Sequence, residues 1–315
     1  MPTLRRPRRG SLQYWPRKRA KKFLPRVNWV AIKADSDKKL KGFICYKAGM
    51  MSAIVKDNTP NSMTKGKIKA LPVTILVCPS MKIFSTRFYK NNKVVKEILN
   101  ENLDKELKSR LKLPKKKSEK LGEIKIQEYD DVSAVVYSQV KKTGLKKTPD
   151  LSEIGLQGNI EEKLLWIKEN MNKEISINDI FNSGEIVDIR GLTKGKGLQG
   201  PTKRFGLGLK QHKSEKGRRR PGSLGPWHPA RVTFRAPIAG QLGMFTRVTY
   251  NNKIIKIGTQ EDNMKSIMHF GDIKTPYVIV AGSVQGPAKR QLLITSALRP
   301  TKKQTKKQYE LVELR

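Results

Sequence analysis

The chain has 315 residues, 37% of them hydrophobic, with 66 Lys and Arg against 27 Asp and Glu and a formal net charge of +39. The hydrophobic share is enough for a folded core and excludes a wholly disordered polyelectrolyte, while so large an excess of one sign calls for a polyanionic partner. The longest apolar run, 71–78, contains Pro72 and falls far short of the roughly 20 residues that span a bilayer, and the basic N-terminus lacks the apolar segment of a secretory signal.

Residues 1–41 form a basic N-terminal extension. Pro7, Pro16 and Pro25 break helix, and the cations of this stretch (Arg5, Arg6, Arg8, Arg9, Arg17, Lys18 and Arg19) show no apolar periodicity. Alone, such a segment is a solvated tail. Tyr14, Trp15, Phe23 and Trp29 interleave it with rings that stack on bases or pack in crevices, so ordering on a partner is expected. Strand signals follow at 43–46, 51–55 and 73–78. Between Val94 and Leu113, the residues Val95, Leu99, Leu103, Leu107 and Leu111 fall on one i+4 row, which predicts an amphipathic helix stopped by Pro114. A strand at 132–140 and a helix at 161–172, carrying Leu164, Leu165 and Ile167, complete an α+β insertion over 80–182.

After a strand at 185–189, residues 191–241 are dense in Gly, Pro, Lys and Arg without regular period. That is too long for an ordinary connection. Strands resume at 245–250 and 253–257 around Asn251-Asn252, a hairpin signal, and again at 277–281 and 292–294. Residues 301–315 form a C-terminal basic segment and strand. The pattern predicts a mainly β fold with an α+β insertion: a β-barrel from 42–79 and 183–300, with 191–241 as a long basic internal finger.

The charge is unevenly placed. Residues 97–188 hold 18 acidic and 16 basic residues, whereas 1–26 hold ten Lys/Arg and no acid, 190–235 hold thirteen and only Glu215, and 285–307 hold seven and no acid. Within the finger the cations are Lys194, Lys196, Lys203, Arg204, Lys210, Lys213, Lys216, Arg218, Arg219 and Arg220, followed by Gly225-Pro-Trp-His-Pro-Ala-Arg231. A solvated loop usually mixes signs and does not leave a tryptophan such as Trp227 at its tip. Insertion into folded RNA fits both features better.

Other chemistries find little support. Gly195-Lys-Gly197-Leu-Gln-Gly200 matches the dinucleotide fingerprint in spacing, but Pro201, Gly206 and Gly208 argue against the helix that must follow it. His212, His228 and His269 are scattered, and no cysteine pair has zinc spacing. Cys45 and Cys78 read as reduced core thiols, and Glu261-Asp262 as a turn rather than a dyad. No cofactor or metal is expected.

Several motifs closely resemble the archaeal and eukaryotic type of the universal L-three family of large-subunit ribosomal proteins. They run in family order: Pro16-Arg-Lys-Arg19, Gly42-Phe-Ile-Cys-Tyr-Lys-Ala-Gly-Met50, Leu192-Thr-Lys-Gly-Lys-Gly197, Gly225-Pro-Trp-His-Pro-Ala230, Ala239-Gly-Gln-Leu-Gly243, Phe270-Gly-Asp-Ile273 and Val284-Gln-Gly-Pro-Ala-Lys-Arg290. The resemblance implies a translation-protein-type β-barrel with an inserted α/β domain, and an extension and finger buried in ribosomal RNA. It also implies binding near the 3′ end of the large-subunit RNA, early in assembly, and a Trp227 tip approaching the peptidyl-transferase region from the aminoacyl-tRNA side. Expected neighbours are ribosomal proteins fourteen and twenty-four-e, in a cytoplasmic ribosome. Bacterial members lack the tip tryptophan and have a shorter insertion, which groups this chain with the archaeal members; residues 211–216 depart from the family pattern.

The expected function is therefore a non-catalytic RNA-binding scaffold. The expected contacts are Arg5, Arg6, Arg8, Arg9, Arg17, Lys18, Arg19, Lys194, Lys196, Lys203, Arg204, Arg218, Arg219, Arg220, Trp227, His228, Arg231, Lys289 and Arg290. The rivals are an RNA-processing enzyme, which would need a carboxylate cluster or cofactor loop in the basic half, and a general nucleic-acid compactor, which would bind DNA and RNA alike.

Overall fold

The computed structural model describes residues 11–33, 39–114, 128–214, 216–259, 264 and 266–315. In chain order the strands are β1 (Gly42–Asp57), β2 (Ile68–Val77), β3 (Met81–Lys90), β4 (Lys93–Leu99), β5 (Asp131–Ser138), β6 (Leu151–Gly155), β7 (Ile186–Leu192), β8 (Gly197–Gln199), β9 (Gly240–Leu242), β10 (Thr246–Gly258), β11 (Tyr277–Ala281), β12 (Gln291–Ser296) and β13 (Tyr309–Leu314). The helices are α1 (Ile160–Asn170), α2 (Pro201–Phe205) and α3 (Lys302–Thr305). The fold is mainly β, as expected. Two compact units emerge, Met1–Lys22 with Leu192–Thr246, and Phe23–Gly191 with Arg247–Arg315.

In the larger unit β1 organises the sheet. Its first half is a buried run of Phe43, Ile44, Cys45 and Tyr46, flanked by β12 (Gly42↔Thr295) and β2 (Tyr46↔Val77). Its second half stays with β2 and takes β13 in place of β12 (Asp57↔Tyr309). Among the described residues six strands close a ring in the order β1-β2-β11-β10-β7-β12. The period of two is visible in the packing. Leu76, Val278 and Val280 join Ile189, Ile254 and Leu292 in one apolar cluster, while their neighbours Val77, Tyr277 and Ile279 join Ile255, Phe270 and Ile273 in another. Cys45 and Cys78 are buried free thiols.

A second sheet runs β4-β3-β5-β6. One face carries Phe88, Val132, Ala134, Val136 and Ile154 into the larger cluster, where Leu164 and Ile167 of α1 also lie. That helix forms where its periodicity predicts, and Leu165 is the exposed member of its leucine pair. The sheet also carries a polar clasp. Glu153 accepts from Arg87 (2.9 Å), Ser133 (2.7 Å) and Tyr89, and Glu97 accepts from Arg87 (3.0 Å). Burial works to raise the Glu153 pKa, but these donors outweigh it and hold the carboxyl below its ordinary value.

Two expected elements are corrected. The helix over 94–113 is absent: β4 occupies its start and a 3-10 turn, Lys105–Ser109, lies further on. Asn91 and Asn92 both adopt left-handed backbone (φ 51° and 59°), the signature of a tight reversal, and it launches the β-branched Val94-Val95 into antiparallel pairing with β3. The leucines still share a core, since Leu99, Leu103 and Leu107 gather with Phe84, Val135 and Tyr137, but through an irregular chain. The hairpin at Asn251-Asn252 is also absent, because β10 runs straight through it. Only Asn251 takes positive φ (57°), and its N–H donates to Asp188 Oδ1 at 2.9 Å. A primed two-residue turn needs both residues left-handed; one gives a kink. Glu261-Asp262 lies outside the described residues.

In the N-terminal extension Trp29 packs on the core rather than waiting for a base. Its side chain lies over Gly155 and Gly42, where an added Cβ would come within 2.5 Å of the Trp29 Cβ and 2.9 Å of its ring, respectively. Lys41 Nζ donates to the Trp29 carbonyl at 3.0 Å, and Lys41 N–H donates to the Gly155 carbonyl at 3.0 Å.

Candidate nucleic-acid interface

The smaller unit holds 21 Lys and Arg but a single acid, Glu215. Its ordered base is a two-stranded ribbon, β8 against β9 (Gly197↔Leu242), followed by α2. The short helix corrects the expectation that none follows Gly200. Pro201 sits at its start, where a missing N–H costs nothing and the fixed φ suits the helix. At five residues the helix is one turn and offers no dinucleotide site. Gly243, at φ 78°, is indispensable to the ribbon, since an added Cβ would stand 2.0 Å from the Lys194 carbonyl oxygen.

Rings and guanidinium groups fill this base. Trp15 stacks on Phe205 (centroids 6.2 Å, 22°) and meets Phe234 edge-on at 5.5 Å. The Arg17 guanidinium lies 4.4 Å from the Phe205 centroid and donates to the Arg204 carbonyl at 3.2 Å. Arg204 Nε donates to Gln241 O (3.0 Å) and its Nη1 to Ile238 O (2.9 Å). Burial pushes the Arg204 pKa down. Arg17 and Arg204 thus join the extension to the finger base, a structural use that their sequence positions did not announce.

Beyond the base the finger is open. Thr202 Oγ1 donates to the Arg219 carbonyl (3.0 Å), and Lys210 and Arg218 exchange main-chain and side-chain bonds at 3.2 Å. From 222 to 235 every residue is exposed, and Trp227 is 87% exposed. Lys18, Arg19, Lys194, Lys196, Lys203, Arg218, Arg219, Arg220, His228 and Arg231 are also exposed. Arg5, Arg6, Arg8 and Arg9 lie outside the described residues. Lys289 and Arg290 belong to the larger unit, where the Arg290 guanidinium stands 5.2 Å from the Phe23 ring.

A family model described as ribosomal protein L3 matches residues 1–315. The chain belongs to the ribosomal protein L3 family. It is 40% identical over 314 residues to the large ribosomal subunit protein uL3 of Methanocaldococcus jannaschii, covering 94% of this chain and 92% of that one. The uL3 of Archaeoglobus fulgidus is 42% identical over 313 residues (94% and 93%), and that of Methanococcus vannielii 39% identical over 310 residues (94% and 92%).

Sequence reasoning missed a set of buried lysines in this L3-family chain. Lys41, Lys47 and Lys253 are 8%, 8% and 5% exposed. Each donates to main-chain carbonyls rather than to a carboxylate: Lys41 to Trp29, Lys47 to Val284 and Gly286, and Lys253 to Gln304 and Thr305 at 3.3 Å each. Burial lowers all three pKa values, with Lys163 adding to the effect at Lys41 and Lys307 at Lys253. The legible signal was a lysine inside an apolar run, as in Cys45-Tyr46-Lys47-Ala48.

Proposed function

We propose that this chain is a structural, non-catalytic constituent of the large ribosomal subunit that binds ribosomal RNA near the 3′ end of the large-subunit molecule and nucleates assembly there. The observation that carries the reading is the smaller unit itself, with 21 cations against one acid and an exposed tryptophan on its open finger. Such a surface gains by neutralising phosphates and releasing their counterions. Charge positions without specifying, so specificity rests on matching RNA shape, with Trp227 stacking on an unpaired base. The uL3 name carried by the archaeal relatives supports the assignment to the large subunit. On this reading the finger reaches toward the peptidyl-transferase centre, and ribosomal proteins fourteen and twenty-four-e are neighbours. We also read 42–79 with 183–300 as the barrel body and 80–182 as an inserted module.

The test is selective binding. Full-length chain is expected to protect a 3′-terminal fragment of large-subunit RNA from cleavage and to co-sediment with the large subunit. Equal affinity for duplex DNA of the same length at matched salt would turn the reading toward a general compactor. Trp227→Ala is expected to leave folding and co-sedimentation unchanged, because the side chain touches little of its own protein, and to alter aminoacyl-tRNA entry or the response to drugs bound at the peptidyl-transferase centre. Unchanged translation and drug response would remove the tip from the proposal.

A further inference from the structure

Lysine is almost never fully buried without a partner, and Lys47 has an unusual one. It lies in the buried half of β1, and its Nζ donates to the carbonyls of Val284 (2.5 Å) and Gly286 (3.2 Å). Its main chain grips the far end of the same segment: Lys47 N–H donates to Arg290 O (2.9 Å), and Lys289 N–H donates to Lys47 O (2.7 Å). One residue therefore holds both ends of the turn 284–290.

The middle is tied down separately. Gln285 Nε2 donates to Ile189 O (2.9 Å) and Arg247 O (3.1 Å), and its Oε1 accepts from Thr249 Oγ1 (3.2 Å). The turn ends on Lys289 at φ 66°, a region that L side chains rarely adopt and that persists only where surroundings enforce it. What this presents outward is an exposed Lys289 and a half-buried Arg290 beside the ring of Phe23, itself 48% exposed.

We propose that Lys47 is a positioning residue for an RNA-binding turn, holding Lys289 and Arg290 for contact with backbone phosphates beside the Phe23 ring, a stacking surface for a base. The proposal rests on the reading that the chain binds ribosomal RNA. The acceptor chemistry favours it. A carboxylate holding Lys47 would cancel the charge of the site and repel phosphate, whereas carbonyl oxygens fix the ammonium and leave its positive field in place.

The experiment uses full-length chain with Lys47→Met, which keeps the apolar stem and deletes the ammonium. In the free protein, amide exchange across 284–290 is expected to accelerate at least about tenfold relative to the rest of β1 and β2. In RNA binding, the slope of log affinity against log salt is expected to drop by roughly two, about 0.9 for each lost phosphate contact, although Lys289 and Arg290 are still present. The double variant Lys289→Ala/Arg290→Ala is expected to give the same drop, and adding Lys47→Met to it should change the slope no further. A Lys47→Met variant with a lower unfolding midpoint but the wild-type slope would make Lys47 only a core residue. A double variant with the wild-type slope would show that the turn touches no RNA. Either result overturns the proposal while leaving RNA binding by the chain intact; a wild-type chain indifferent to RNA would instead bring down the function itself.

Discussion

Affinity for large-subunit RNA should fall on the order of 10³–10⁵-fold between about 50 and 200 mM monovalent salt, as it does for proteins making 6–10 phosphate contacts. Replacing Arg218, Arg219 and Arg220 together by alanine should remove about three of those contacts. Each contact contributes roughly 0.9 to the salt slope on a duplex and 0.7 on a single strand, so the slope should flatten by about 2–3 and binding near 0.1 M salt should weaken on the order of 10²-fold. Alanine removes the Arg218 side-chain bond to the Lys210 carbonyl but keeps those of Thr202 to the Arg219 carbonyl and of Lys210 N–H to the Arg218 carbonyl, so an unchanged circular dichroism spectrum and unfolding midpoint should accompany the loss of contact. Lys168, exposed on α1, provides the control: Lys168→Ala should leave the slope untouched. A triple variant that binds with the wild-type slope would show that the finger lies outside the RNA contact.

Trp29→Ala should destabilise the larger unit by about 3 kcal/mol, the lower end for truncating a packed tryptophan because this one is only partly buried. For a unit of this size that corresponds to a midpoint lower by on the order of 10 °C in thermal unfolding. Gly155→Ala should have a comparable effect from the opposite side, since its new methyl would sit 2.5 Å from the Trp29 side chain and push the ring off the sheet. The two losses share one cause, so the double variant should cost clearly less than their sum. Additive losses, or a Trp29→Ala effect below about 1 kcal/mol, would mean that the extension is not fastened through this ring.

How much was legible in the sequence depends on whether neighbours in the chain or neighbours in space set each structure. β2, β11 and β12 were legible because their β-branched runs are buried whichever strand they pair with. The α1 helix was legible because its apolar stripe and its first-turn acids agree. The stretch after Asn92 misled, because leucines spaced by four also fit an irregular chain wrapped on Phe84 and Tyr137, and two left-handed asparagines decided the matter locally. In the finger the cations were legible as charge but not as individuals. Arg17 and Arg204 look like Arg218 in sequence, and only the packing of Trp15 and Phe205 around them separates an internal brace from an exposed contact. Lys47 was hidden for the opposite reason: its partners are carbonyls some 240 residues away, and a carbonyl leaves no mark in composition.

The two kinds of fastening in this protein answer acid differently. Glu174, despite a burial contribution that works upward, is held down to about 2 by hydrogen bonds from Lys142, Ser80 and Gln139. Its folded-state pKa lies below the unfolded one, so what it contributes is complete above the ordinary glutamate range and disappears as pH drops through about 2. The ammonium and guanidinium groups seated on peptide oxygens at Val284, Gln304 and Ile238 face acceptors with no proton to take up, and acidification only keeps them charged. Strong acid therefore releases the Glu174 tie to Lys142 and Ser80, while Lys47, Lys253 and Arg204 keep their seats on main-chain carbonyls.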